Sequence, residues 1–190
     1  MQSHYEILII GGGMANTFLH AQGYGVGKSL CEKDLAQTAL RIMDKAIDSG
    51  CAIILPIDAV VAWHFKADTP TRLYGVDAID NDGMILDIGP VAASRLGTLL
   101  ADCKTLVWNG PLGAFETPPF DAGTVMVART AAALTASGRL LSVAGGGDTV
   151  AALNHAGVAG DMTFVSTAGG AFLEWMEGKP LPCVEALRKG

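Results

Sequence analysis

The sequence predicts an α/β domain over residues 1–190, built on a doubly wound, Rossmann-like and mostly parallel sheet with helices on both faces. Three observations predict it. Short apolar, β-branched runs alternate with segments of helical spacing, the pattern of right-handed βαβ units. Glycine clusters follow those runs, where strands must turn sharply into helices. Half of the residues are hydrophobic and 24 are glycine without a collagen-like period, a balance that fits a buried parallel sheet.

Taken in order, Ile7–Ile10 is a short β-branched run expected as a central strand. It ends in Gly11-Gly12-Gly13, and Met14–His20 follows as a short helix. Ser29-Leu-Cys-Glu32 has the form of a capping box, and apolar residues from Leu35 to Ile47 keep helical spacing until Gly50 stops them. Cys51–Leu55 is the next strand, and Val60–Phe65 a further extended piece with His64 on its surface. Residues 68–82 are polar and rich in turn formers, a loop or short excursion. Met84–Ile88 is a strand closed by Gly89-Pro90, Ala92–Ala101 a helix, and Lys104–Trp108 a strand. That strand runs into the loop Asn109-Gly110-Pro111-Leu112-Gly113-Ala114-Phe115-Glu116. A long amphipathic helix then extends from Phe120 to Ala136, and Gly138 stops it. Met162–Val165 is the last strand, Ala171–Glu177 a short helix, and Leu181–Leu187 a final one.

The stretch most charged with chemistry is Leu140-Leu-Ser-Val-Ala-Gly-Gly-Gly-Asp148-Thr149. A buried strand leads into Gly145-Gly146-Gly147, and a helix begins at once. Asp148 or Thr149 is placed to accept a hydrogen bond from the free amides of the first turn. Those amides and the positive end of the helix make a ready anion site. A phosphate tolerates a neighbouring carboxylate when a cation lies between them, so Asp148 points to Mg2+; the alternative is that Asp148 serves only as a cap. In a doubly wound sheet, ligands bind outside the carboxyl ends of the strands. Gly11–Gly13, Gly89, Asn109–Glu116, Gly145–Thr149 and Ser166–Gly170 all follow strands, so one shared rim is expected to receive a nucleotide.

Composition narrows the partners. The net charge is −6 and the isoelectric point near 5.0, which argues against nucleic acid or an anionic membrane. With 13 Lys and Arg in all, a phosphate site must rely on amides, a metal or basic groups supplied from elsewhere. Cys31, Cys51, Cys103 and Cys183 are scattered without metal-ligand spacing and fit a reducing compartment. No stretch reaches the length of a membrane span and no signal peptide is evident, so a cytoplasmic location is expected. Two nucleotide motifs fail on inspection. Gly11 and Gly13 begin a dinucleotide fingerprint whose third glycine falls on Asn16, and Gly27-Lys28-Ser29 lacks the upstream glycine of a P-loop, where Gln22 stands.

Ile9-Ile-Gly-Gly-Gly-Met-Ala-Asn-Thr-Phe18, Leu55-Pro-Ile-Asp58, Val107-Trp-Asn-Gly-Pro-Leu-Gly-Ala-Phe-Glu116, Ala144-Gly-Gly-Gly-Asp-Thr149 and Ser166-Thr-Ala-Gly-Gly-Ala171 resemble phosphoglycerate kinase, in that family's order. The likeness runs from about Ile7 to Leu187 and concerns the carboxyl-terminal, nucleotide-binding half. It implies phosphoryl transfer between 1,3-bisphosphoglycerate and ADP, giving 3-phosphoglycerate and ATP with Mg2+, in glycolysis. By the same resemblance Gly11–Gly13 and Leu112 line an adenine pocket, Glu116 holds the ribose, and Asp148 is the Mg2+-linked carboxylate with Thr149 near the phosphates. Gly169 and Gly170 match helix-start amides that face the transferring phosphoryl group, and Ala168 stands where the family commonly has glycine.

Against the family pattern, the amino-terminal domain that binds phosphoglycerate is absent. So is the Gly-Gly-Ala-Lys strand and helix that supplies two phosphate-binding lysines. The expectation is therefore a nucleotide-binding domain truncated at its amino-terminal end, inactive alone, and prone to self-association through the truncated face. A catalytically silent nucleotide-binding or interaction module is the alternative, and a dehydrogenase lacks its fingerprint.

Overall fold

The structure, a computed structural model, describes residues 6–166 together with 170, 171, 174, 178–181 and 186. The chain divides into two compact units, one of Met1–Leu96 with Pro111–Val127, the other of Gly97–Gly110 with Ala128–Gly190.

In the first unit, β1 (Ile7–Ile9) pairs in parallel with β2 (Ala52–Ile54), Ile9 standing opposite Ile54. Between them run α1 (Gly12–Ala21) and α2 (Ala36–Asp48), the crossover of a βαβ unit. Ile10, Ala15, Phe18 and Ala39 are buried together, with Met43, Ile53 and Leu55 packed around them. β1 has one strand partner among the described residues and leaves Leu8 exposed, so it is an edge there rather than the expected central strand. A three-stranded antiparallel sheet follows, ordered β4-β3-β5, from β3 (Asp58–Ala62), β4 (Thr71–Gly75) and β5 (Met84–Ile88).

β4 occupies part of the stretch read from sequence as a loop. It is an edge strand whose first three residues face solvent, so it lacks the apolar alternation that announces a half-buried strand. Its side chains still pair across the hairpin: Tyr74 meets Trp63 edge-on, and the Arg72 guanidinium lies over the Trp63 ring.

The capping box at Ser29 does not form. The Ser29 hydroxyl donates to Val26 O and accepts from the amide of Ile85, while the Glu32 amide donates to Thr17 Oγ1. Those bonds pin the 26–32 segment onto β5 and α1, so a long-range partner displaces the local one. The helix accordingly opens later, through a short 3₁₀ turn at Lys33–Leu35.

The second unit is a parallel sheet ordered β6-β7-β8, from β6 (Thr105–Asn109), β7 (Leu141–Gly145) and β8 (Phe164–Ser166). Its register places Asn109 opposite Gly145 and Gly145 opposite Ser166, so the three strands end in one row. The connection into β8 is α5 (Gly147–His155). Ser142, fully buried in β7, exchanges hydrogen bonds with Thr163 and meets the hydroxyl of Thr135. The helices α3 (Pro90–Asp102) and α4 (Ala122–Ala136) contribute residues to both units. α4 buries residues 123, 124, 127, 128, 131, 132 and 134, the stripe expected of an amphipathic helix. Among the described residues no helix is long and apolar enough to cross a membrane.

Two aspartates of the first unit hold helix starts from a distance. Asp58 accepts the amides of Val91 (3.0 Å) and Ala92 (2.7 Å), capping α3 behind the N1 proline, Pro90. Asp87, 1% exposed, accepts the amides of Ile88 (2.8 Å) and Gly123 (2.7 Å) and so closes the first turn of α4. Asp58→Ala should lower stability by about 1–2 kcal/mol, and at roughly 2–4 °C per kcal/mol its thermal midpoint should drop accordingly. An unchanged melting curve would show the cap to be idle.

Burial raises the Asp87 carboxyl from 3.8 to about 7; the bonds from Gly123 and Ile88 oppose the rise and the charge of Asp121 adds to it. The unfolded chain therefore releases this proton first as pH climbs, and between about pH 4 and 7 the folded state binds more protons. Stability carried by Asp87 is full below pH 4 and is lost as pH rises through 7. The loss amounts to as much as roughly 4 kcal/mol at about 1.4 kcal/mol per unit. Urea unfolding at stepped pH should show the decline in wild type and not in Asp87→Asn, and parallel profiles for the two proteins would refute it.

Candidate functional site

The predicted site residues fall into two clusters, one in each compact unit. In the first, Gly11 is the residue before α1, and no side chain caps that helix. Gly12 has φ of +59°, a backbone angle that an L side chain rarely adopts, and its amide donates to the Leu112 carbonyl at 3.1 Å. A Cβ on Gly11 would press on the Leu112 side chain, and one on Gly13 would sit 2.9 Å from Leu30 Cδ2. Gly11 and Gly13 thus let two leucines approach the start of α1. Leu112 is buried, whereas Leu30 is 78% exposed and the adjacent Met14 63%. Leu30 was not legible as a site residue, because an apolar residue next to Gly27-Lys28-Ser29 carries no sequence signal of what it will cover.

The loop that presents Leu112 is held at several points. The Leu112 amide donates to the buried Thr124 hydroxyl at 3.0 Å and the Ala114 amide to the Leu86 carbonyl at 2.8 Å. Phe115 is buried and Glu116 is exposed. Gly89, also predicted as a ligand contact, is buried, and the Asp58 carboxylate that caps α3 occupies the space beside its Cα. Its lack of a side chain serves that cap. An open apolar groove of about 370 Å3 lies among Leu19, Met43, Ile47, Ile53, Ile57 and Val76, and none of the predicted site residues lines it.

In the second cluster the row of strand ends brings Asn109 and Gly110 beside Gly145–Gly147. The Gly110 amide donates to Thr149 Oγ1 at 2.6 Å, and the Trp108 indole donates to the Gly110 carbonyl at 2.6 Å. Gly146 has φ of +94°, and a Cβ there would stand 2.7 Å from Asn109 Oδ1. Neither Asp148 nor Thr149 is the N-cap expected from sequence. Gly146 takes that position, without any side-chain cap bond, and the first intrahelical bond runs from the Val150 amide to the Gly146 carbonyl. Thr149 is instead buried and committed to Gly110, a partner 39 residues away. Asp148 is exposed in the first turn of α5, and beside Gly147 lies open space.

That arrangement combines an uncapped helix start, a glycine whose Cα faces open space and one free-standing carboxylate. It can receive an anion on backbone amides. Among the described residues no three His, Cys, Asp or Glu side chains gather into a protein-built metal cage. The donors fit the other mode of Mg2+ binding, in which one carboxylate shares the ion with substrate phosphates and water. Gly170 is helical and exposed with open space beside it; Gly169 lies outside the described residues.

The comparisons with known proteins agree with these motifs. The phosphoglycerate kinase family model matches residues 1–179. A phosphoglycerate kinase of Rhodopseudomonas palustris is 68% identical over 183 residues, covering 96% of this chain and 46% of its own. One of Bradyrhizobium diazoefficiens is 67% identical over 186 residues, covering 98% of this chain and 47% of its own. The solved phosphoglycerate kinase of Coxiella burnetii superposes with a TM-score of 0.89 at 42% identity, over 95% of this chain and 46% of that one. That of Pyrococcus horikoshii superposes with a TM-score of 0.79 at 29% identity, over 96% and 45%. The chain spans about half the length of the relatives it matches. With the family model matching most of its residues, this chain belongs to the phosphoglycerate kinase family.

Proposed function

We propose that this chain binds an adenine nucleotide with Mg2+ and is the nucleotide-binding part of a phosphoglycerate kinase. Such an enzyme moves a phosphoryl group between 1,3-bisphosphoglycerate and ADP in cytoplasmic glycolysis. The observation that carries the reading is the start of α5: three glycines, no side-chain cap, and Asp148 standing exposed beside unengaged space. The Gly145–Thr149 turn, with Asn109 and Gly110 beside it, takes the phosphates on its amides. Asp148 shares the Mg2+ ion with them. In the first unit, the family resemblance assigns the base to Gly11–Gly13 with Pro111, Leu112 and Phe115, beside which Leu30 is exposed, and the ribose hydroxyls to Glu116. Gly169 and Gly170 offer their amides to the transferring phosphoryl group.

The metal role of Asp148 separates cleanly from a capping role, because Asn caps a helix nearly as well as Asp. Calorimetric titration should show MgADP binding to wild type and a strongly reduced Mg2+ dependence in Asp148→Asn. Identical Mg2+ dependence in both proteins would remove the metal role, and no heat at millimolar nucleotide would remove the nucleotide site.

Phosphoryl transfer asks mainly for positioning and for positive charge around the transferring group. This chain has a net charge of −6 and about half its relatives' length, so we place the phosphoglycerate site and its cations in the other half of the family's length. Losing one electrostatic donor typically costs about 10²–10³ in rate, and losing the second substrate's site costs more. The 190-residue chain alone should therefore show no turnover above background in a coupled assay with 3-phosphoglycerate and MgATP. Turnover on the order of 1–100 s⁻¹, the usual range for kinases, would overturn that division of labour. Nucleotide binding without turnover would also describe a silent binding module. Restoration of turnover by the complementary half of a relative would decide between the two.

A further inference from the structure

The loop Pro111–Glu116 has no regular secondary structure of its own, and yet Leu112 is packed against Gly11 closely enough to exclude a Cβ there. What holds it lies in the first turn of α4. Thr124, 1% exposed, receives the Leu112 amide on its hydroxyl, and Asp87, 1% exposed, receives the amide of the neighbouring Gly123. Asp87 also fills the space beside the Cα of Gly113, the residue after Leu112, and of Gly123 itself. The Leu112 carbonyl in turn accepts the Gly12 amide. One continuous chain of contacts therefore runs from β5 through the start of α4 to Leu112 and on to the glycine turn before α1.

We propose that Thr124 and Asp87 are positioning residues for nucleotide binding: they lock the first turn of α4 to the Pro111–Glu116 loop, and so set Leu112 against Gly11 and Gly12. The inference rests on the nucleotide-binding reading above and assigns a function to two buried groups that touch no ligand themselves. A buried amide left without an acceptor is costly, so a loop deprived of the Thr124 hydroxyl must shift to find water or another partner. Leu112 would move with it. The geometry also accounts for small residues at 113 and 123: each lies where a side chain would displace the Asp87 carboxylate.

The test is MgADP titration of wild type, Thr124→Val and Thr124→Ser, each checked for a cooperative thermal transition. Valine keeps the shape and loses the acceptor; serine keeps the acceptor and loses a methyl group. Affinity should fall about tenfold in T124V, within the usual range for coupling between a support and a site, and T124S should recover most of it. Asp87→Asn, which keeps one acceptor of two, should weaken binding less than T124V. Equal affinities for wild type and a folded T124V overturn the inference and leave the nucleotide site standing. Absence of binding by wild type overturns both. Should T124V fail to fold, amide exchange in wild type decides the matter. Coupling is reciprocal, so saturating MgADP must slow exchange at Leu112, and an unchanged rate there refutes the coupling.

Discussion

The fate of the free amides at the start of each helix is the constraint on which the architecture turns. Every helix leaves its first amides without an intrahelical acceptor, and each must find a partner in the protein, in water or in a ligand. Here α3 and α4 find theirs in Asp58 and Asp87, carboxylates on β3 and β5 that lie 33–36 residues away along the chain. The helices α1 and α5 find no side-chain cap, and each begins within a run of three glycines. Turns that look alike in sequence thus separate into two kinds. At Gly89 the missing side chain makes room for an aspartate of the same protein; at Gly147 it leaves open space beside the first residue of a helix that has no side-chain cap. Only the second kind is suited to a ligand.

This distinction also sets the limit of what the sequence could tell. Apolar runs with a glycine turn soon after them located β1, β5, β6, β7 and β8, because a strand and the turn that closes it are written in neighbouring residues. The recurring strand, turn and helix gave the α/β class for the same reason. β4 escaped because an exposed edge strand has no apolar period to detect. The supposed capping box at Ser29 failed for the opposite reason. Its local pattern was right, but Ile85, 56 residues on, offered the Ser29 hydroxyl a better use. Of the predicted site residues, the runs Gly11–Gly13 and Gly145–Gly147 stand at helix starts as read from the sequence, and Asp148 stands in a first turn. The commitment of Thr149 to Gly110, the exposure of Leu30 over Gly13 and the burial of Asp87 all depend on which distant segments meet.

A phosphate site proposed on an acidic chain looks contradictory if binding is equated with lysine and arginine. The structure removes part of the contradiction. Amides carry a dipole, not a net charge, so an uncapped helix start attracts an anion without altering the balance of −6. Asp148, placed at that same turn, would repel a bare phosphate, which is why the proposed nucleotide site is paired with a divalent cation.

Asp87 shows how stability and site geometry draw on the same group. A carboxyl whose pKa is raised to about 7 is an expensive way to hold a helix start, since each ionised copy sits in a poorly solvated place. A serine or threonine would cap α4 at lower cost in the same position. The carboxyl does something those cannot: its two oxygens engage Ile88 at the end of β5 and Gly123 at the start of α4 together, with Gly113 closed over it. A single hydroxyl reaches one amide well and leaves the other to the loop. The penalty of burying an acid is thus the consequence of joining a strand end, a helix start and the Leu112 loop at one point.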